Sequence, residues 1–226
     1  LAATLTWLAV VVPARPAEAA GVTTHGWMAL EAIPLVQDPE LRALLVTHPQ
    51  QLRAGAMLPD AGYLPGYTFG EEAHWQRYFD AYAARLKARS DCGDLGDPHG
   101  PCADMVAHLM GMAAHGLGDE VWDWLFEPYV PDLDEYFVPD NPLFNDGGAE
   151  SQMDLVAIHD HHVPRPSIPD LPDLDTILAA FADVGRSDVT ASQFAIHGLG
   201  ELVWDLESSW VVQYIDELKA AMPWTS

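Results

Sequence analysis

The stretch of sequence that decides the fold is residues 104–126, DMVAHLMGMAAHGLGDEVWDWLF. It is the longest segment of helical periodicity in the chain. Its interior contains Gly111, Gly116 and Gly118. Glycine inside a helix costs stability unless another group approaches the backbone closely. The segment therefore predicts a long helix with a close neighbour along the glycine positions.

The same helix carries potential metal ligands. His115, Asp119 and Asp123 follow one another at intervals of four residues, which brings neighbours onto one face about 6 Å apart along the axis. An imidazole and a carboxylate at that spacing can hold one metal ion, or two when both carboxylate oxygens bind. Taken alone, the pattern is a weak signal and is typical of exposed pairs as well.

Helical patterns recur on both sides of this segment, whereas strand patterns are scarce. The chain therefore predicts an all-α fold with a single compact multi-helical domain. In the segment 75–89, Tyr78, Phe79, Tyr82 and Leu86 lie along one side. The other predicted helices cover residues 24–33, 38–46, 148–159, 173–184 and 191–219.

The first residues have the pattern of an export signal. An apolar run at 1–12 is followed by Ala17-Glu18-Ala19, a small-x-small cleavage pattern. We therefore interpret 1–19 as part of a signal peptide and 20–226 as the domain, which predicts a secreted, periplasmic or cell-envelope protein. In such an oxidising compartment, Cys92 and Cys102 are expected to form a disulfide, with a metal-binding pair as the alternative.

The charge limits the partners. The chain has 34 acidic and 10 basic residues, for a formal net charge of −24. Such a surface repels phosphate backbones, so no long nucleic acid is expected as a partner. It favours divalent cations, although an acidic surface that only maintains solubility would have the same composition.

An internal similarity links two segments. HGLGDEVWDW at 115–124 is matched by HGLGELVWDL at 197–206. Either two helices share a similar packing face, or a functional element is repeated.

Four segments occur in a distinctive order. TTHGWMALEAI contains His25, AGAMLPDAGY contains Asp60, and EEAHW contains His74 at the expected start of a helix; His115-x-x-x-Asp119 follows. In this order the chain resembles the zinc-dependent phospholipase C family. That family includes bacterial phospholipases C and the catalytic part of glycosylphosphatidylinositol-specific phospholipase D, and it shares its fold with the fungal single-strand nucleases. The resemblance runs from about residue 20 to 160.

The resemblance implies two metal sites that share Asp119. One would be formed by Asp60, His74, His115 and Asp119. The other would be formed by Asp119, His25 and the amine and carbonyl of Ala20, the N-terminal residue after cleavage. Asp60 would also orient the attacking water or act as the general base.

A third site departs from the family pattern. Bacterial phospholipases place a histidine where this chain has Leu125, and the remaining candidates are Asp123, Glu150 and Asp154. Such an all-carboxylate set favours Ca²⁺, Mg²⁺ or Mn²⁺, or binds zinc weakly. Glu150 and Asp154 as plain solvated charges are the alternative.

The resemblance implies a metal-dependent phosphodiesterase with two or three metal ions that cleaves phospholipids in a phospholipase C-like reaction, with transient contact to a membrane surface. The alternatives are a nuclease or nucleotidase of the same fold, and a non-catalytic metal-binding envelope protein.

Overall fold

The protein is described by a computed structural model. It describes residues 21–62, 67–125, 154, 157–163 and 171–194, and for Asp123 the backbone alone. Within these ranges the chain is all-α, and no strand occurs. No helix in the described part of the chain is long and apolar enough to cross a membrane.

The helices follow one another with short connections. They are α1 (Val22–Ala32), α2 (Pro39–Thr47), α3 (Pro49–Ala61), α4 (Gly70–Ala73), α5 (Gln76–Ala88), α6 (Ala103–Leu125) and α7 (Leu174–Asp183). Two 3₁₀ turns, Ile33–Leu35 and Ala191–Phe194, complete the order. Asp38 caps α2 through its side chain and Asp173 caps α7, as expected for aspartate at a helix N-terminus.

Helices α3 and α6 form the centre of the fold and pack with their backbones in close contact. A Cβ atom on Gly55 of α3 would overlap the carbonyl oxygen of His108, and one on Gly111 of α6 would overlap that of Leu52. Only glycine fits at these two points. The sequence prediction that the glycines of α6 mark a close neighbour is confirmed: Gly111 faces α3, Gly116 faces the carbonyl oxygen of His74, and Gly118 faces the ring of His25.

The larger apolar core lies between α5, α6 and α7. Tyr78, Tyr82 and Leu86 of α5 are buried, as their spacing predicts, and Phe79 is partly buried at the edge. The disulfide between Cys92 and Cys102 belongs to the same core and lies immediately before α6. The predicted pairing of these two cysteines is therefore confirmed.

Two features of the central region differ from the sequence expectation. Helix α3 was not predicted, because Pro49, Gly55 and Pro59 are all typical helix breakers. Pro49 is tolerated at the first helical position. Pro59 lies inside the last turn of the helix, where it removes one backbone N–H donor. His74 does not start a helix but follows the last residue of the short α4, as its C-cap.

Several predicted segments lie wholly or partly outside the described residues. Residues 1–19 do so entirely. Of the helix predicted at 148–159, residues 154 and 157–159 are described and helical. Of the one predicted at 191–219, only 191–194 are described, as a 3₁₀ turn. The similarity between 115–124 and 197–206 cannot be compared in structure for that reason.

Candidate metal centre

The first pair of candidate ligands, His115 and Asp119, lies on the buried side of α6. His115 is fully buried, and its Nε2 lies 3.3 Å from Oδ2 of Asp119, one turn further along. Nδ1 of His115 lies 2.6 Å from the carbonyl oxygen of Ala56 in α3. A carbonyl oxygen only accepts hydrogen bonds, so Nδ1 carries the proton and donates it. Nε2 of His115 therefore faces the interior, where it can carry a second proton or bind a cation.

His74 is oriented in the same way by a different helix. Its Nδ1 donates over 2.6 Å to the carbonyl oxygen of Gly70, the first residue of α4. A histidine whose second ring nitrogen donates to a backbone carbonyl is the usual arrangement of a metal ligand. The Nε2 atoms of His74 and His115 are 2.9 Å apart. Two acceptor lone pairs at that distance repel each other unless a proton or a metal cation lies between them.

Asp60 completes this group from the end of α3. Its Oδ1 lies 3.4 Å from Nε2 of His115 and 3.6 Å from Nε2 of His74. Oδ2 of Asp119 lies 3.4 Å from Nε2 of His74. Four side chains from three parts of the chain thus converge.

His25 enters from the other side of Asp119. Its Nε2 lies 3.0 Å from Oδ1 of Asp119, and its ring stacks on that of His115 with 3.7 Å between centroids. The ring fits beside α6 because residue 118 is glycine: a Cβ there would lie 3.2 Å from Nδ1 of His25. The two carboxylate oxygens of Asp119 therefore face different partners, Oδ1 towards His25 and Oδ2 towards His74 and His115.

The centre contains buried polar atoms that the described residues do not satisfy. Both ring nitrogens of His25 and both carboxylate oxygens of Asp119 are buried without a hydrogen bond to any described residue, despite their close contacts. Leaving such groups unpaired costs about 1–3 kcal/mol each. Two overlapping sets of side chains each have their ligand atoms within 4.8 Å of one another. One set is His25, Asp60 and His115, and the other is His74, His115 and Asp119. Metal coordination would satisfy them, so the cluster can hold a metal ion.

The electrostatics of the cluster favour a cation. Burial lowers the pKa of His115, but the charges of Asp60 and Asp119 outweigh it and raise that pKa to about 10. Burial raises the pKa of Asp60, yet the histidines, His115 first, lower it well below its usual range. Burial also raises the pKa of Asp119, and its contacts with His115 and His25 lower it overall. For His25, burial and the neighbouring His115 lower the pKa. Two ionised carboxylates therefore share one buried space, which attracts positive charge.

Asp154 lies at the start of α1. Oδ2 accepts a hydrogen bond from the backbone N–H of Thr23 at 3.0 Å. Oδ1 accepts from the backbone N–H of Thr24 at 2.6 Å and from the Thr24 hydroxyl at 2.7 Å. Burial raises the pKa of Asp154 to about 6 even though these hydrogen bonds lower it.

Of the nine predicted metal ligands, the structure brings five together. These are His25, Asp60, His74, His115 and Asp119. Asp154 is placed at the N-terminus of α1, and whether it also binds a metal stays a prediction. Ala20, Glu150 and the side chain of Asp123 lie outside the described residues.

No family model matches the chain, and neither the curated proteins nor the solved structures contain a significant match.

Sequence reasoning did not find the groups that orient the ligands. The carbonyl oxygens of Ala56 and Gly70 fix the two histidine rings, and backbone carbonyls leave no sequence signal. Thr24, which donates to Asp154, is also a residue whose role depends on tertiary contact. The glycines of α6 were a signal for a close neighbour beside the predicted ligands, and Gly118 does face the ring of His25, but they do not indicate these orienting groups.

Proposed function

We propose that this chain is a metal-dependent phosphodiesterase that hydrolyses phospholipids in a phospholipase C-like reaction, with zinc as its metal. The observation that carries the proposal is the carboxylate of Asp119, whose two oxygens face two separate histidine groups. That arrangement suits a carboxylate that bridges two metal ions. The convergence of His25 and His74 on Asp119, and of Asp60 on His74 and His115, also supports the proposal.

The residues present fit zinc in two adjoining positions. One ion would be held by Asp60, His74, His115 and Asp119. The other would be held by His25, Asp119 and the predicted N-terminal Ala20. Nitrogen and carboxylate ligands of this kind are typical of zinc. A third, harder site formed by Asp123, Glu150 and Asp154, with Ca²⁺, Mg²⁺ or Mn²⁺, remains part of the proposal.

When bound, such ions supply Lewis acidity that activates water and neutralises phosphate charge. The protein's own residues have two further tasks, orientation and access. The side chain of Asp60 is 14 % exposed to solvent, the largest exposed fraction in the cluster, whereas those of His25 and His115 are 0 % exposed. A phosphodiester would therefore reach the centre past Asp60. Its carboxylate would accept a hydrogen bond from the attacking water and orient it, or act as the general base.

A second enzymatic function, hydrolysis of nucleotides or short single strands, is favoured by one observation. Trp75 follows His74, remains 43 % exposed, and its ring lies 6.4 Å from the imidazole of His74. An exposed indole beside the centre is a stacking surface for a nucleobase. It is equally a cation–π partner for a quaternary ammonium head group, so the substrate assay must decide.

The disulfide between Cys92 and Cys102 is typical of a protein located in an oxidising compartment. We therefore propose secretion, or a periplasmic or cell-envelope location, with transient contact to a membrane surface during turnover. The acidic composition argues against long nucleic acids as substrates.

The test is metal content together with turnover. Protein processed at Ala20 is dialysed against zinc-buffered solution, its zinc is measured by mass spectrometry, and hydrolysis of phosphatidylcholine vesicles and of a short single-stranded DNA is followed. The variants are His115→Ala and, as a matched control, His99→Ala, which removes an exposed histidine of the cysteine loop. Circular dichroism verifies that both variants are folded.

We expect two or three zinc ions in the wild type and in His99→Ala, with phosphatidylcholine turnover in both. His115→Ala should lose at least one ion and about 10²-fold or more in turnover, since removing a ligand removes water activation. Turnover of DNA in place of lipid would select the second candidate. Bound zinc without turnover of either substrate would refute the enzyme and identify a metal-binding envelope protein.

A further inference from the structure

The site depends on the placement of one short helix. His25 lies in the first turn of α1, and its ring reaches both Asp119 and His115. The helix has no side-chain cap of its own, because its N-cap residue is Gly21. The first backbone N–H groups of a helix have no partner within the helix and need an acceptor from elsewhere.

Asp154 supplies that acceptor from a distant part of the sequence. Its carboxylate accepts the N–H groups of Thr23 and Thr24 and the Thr24 hydroxyl, all within 3.0 Å. It is 2 % exposed, so water does not compete for these hydrogen bonds. A carboxylate at a helix N-terminus also interacts favourably with the helix dipole.

The carboxylate of Asp154 occupies the space in which a side chain of residue 21 would lie. A Cβ atom on Gly21 would overlap the Cγ and both oxygens of Asp154. The carboxylate is therefore seated directly against the backbone of residue 21, two residues before its first hydrogen-bond donor.

We propose that Asp154 is a positioning residue of the metal centre, which holds the first turn of α1 and thereby fixes His25 against Asp119. The inference rests on the proposed metal-dependent function. It assigns Asp154 a role in addition to that of the third-site metal ligand expected from the family resemblance. Its three hydrogen bonds already use most of the roughly four acceptor positions of a carboxylate.

The experiment compares two neighbouring threonines. Thr24→Val removes the hydroxyl that donates to Asp154. Thr23→Val is the matched control, because Thr23 donates to Asp154 only through its backbone N–H, and its own hydroxyl makes no hydrogen bond to a described residue. Asp154→Asn keeps the shape but removes the charge and one acceptor. His25→Ala identifies the binding step that depends on α1.

Zinc affinity is measured for each step by competition with a chelating dye. We expect Thr24→Val and Asp154→Asn to weaken the His25-dependent step about 10-fold to 100-fold, as outer partners of metal ligands do. The step that depends on His74 should keep its affinity, and Thr23→Val should resemble the wild type. If Thr24→Val matches Thr23→Val while Asp154→Asn loses the ion, Asp154 does not act through α1, and the proposal is wrong.

A second readout needs no metal. Hydrogen–deuterium exchange of the peptide covering α1 should be faster in metal-free Thr24→Val and Asp154→Asn than in Thr23→Val. Unchanged exchange would overturn the proposal. A wild type that binds no zinc would instead overturn the proposed function, and exchange alone would then decide whether Asp154 anchors the helix.

Discussion

Replacing Gly118 by alanine tests whether the position of His25 controls the metal centre. The new Cβ would lie 3.2 Å from Nδ1 and 3.3 Å from Cε1 of His25, and 3.3 Å from Cε of Met28. These contacts are tighter than most real Cβ contacts, so the imidazole must retreat by a few tenths of an ångström. Metal–ligand distances tolerate about 0.2 Å. The displacement is therefore as large as the tolerance of the bond that His25 would form.

Two effects on stability oppose each other in this variant. Alanine in a helix interior is favoured over glycine by about 1 kcal/mol. Forcing extra volume into a packed site costs about 1–3 kcal/mol when neighbours must shift. Because the nearest atoms belong to the side chains of His25 and Met28 and none of them is a backbone atom, we expect the metal-free Tm to change little. The zinc-induced rise in Tm should shrink, since binding stabilises by RT ln(1 + [L]/Kd).

The assay is differential scanning fluorimetry over a zinc series, with Glu120→Ala as the control on an exposed position of the same helix. We expect about tenfold weaker binding at the His25-dependent step in Gly118→Ala and none of this loss in Glu120→Ala. A Gly118→Ala protein with wild-type zinc affinity would refute the argument that the ring of His25 occupies that space as a ligand.

Three further outcomes are expected. Trp75→Ala should raise KM about tenfold with little change in kcat, measured on phosphatidylcholine and on a mononucleotide diester, because an exposed indole contributes binding and not chemistry; a fall in kcat alone would contradict this. Asp173→Ala should lower the free energy of unfolding by about 1–2 kcal/mol in urea titrations, since it removes the N-cap of α7 and a partner of Arg89; an unchanged midpoint would count against it. Replacing Cys92 and Cys102 together by alanine should cost about 2–4 kcal/mol while zinc stoichiometry stays the same, because the disulfide closes a loop before α6 and does not touch the centre; loss of zinc in a folded variant would show that the loop supports the site.

The sequence predicted the parts of the fold that rest on periodicity. Helices α5 and α6 follow from apolar side chains at helical spacing, and their buried faces agree with it. Helix α3 could not be predicted in this way, because two prolines and a glycine mask its pattern. Gly55 is explained only by the carbonyl of His108, a contact between residues far apart in sequence.

The site was predictable to the extent that its ligands form a recognisable order of residues. His25, Asp60, His74 and the pair at 115 and 119 were nominated on that basis, and they do converge. The direction of each ring was not predictable, since it depends on backbone carbonyls supplied by other helices. The hydrogen bonds of Asp154 to α1 were equally hidden, because they join residues 130 positions apart.

The contact between α3 and α6 has a consequence for how this sequence can change over evolutionary time. Asp60 and His115 lie on the two helices, so the distance between their helix axes sets the distance between the two ligands. Any side chain at Gly55 or Gly111 would separate those axes. Because these two helices also form the centre of the fold, descendants that keep this packing are expected to keep glycine at both positions, whether or not they keep the histidines. Glycine at 55 and 111 is therefore a marker of the helix packing that brings Asp60 and His115 together, and the histidines themselves mark the relatives that could keep the cluster.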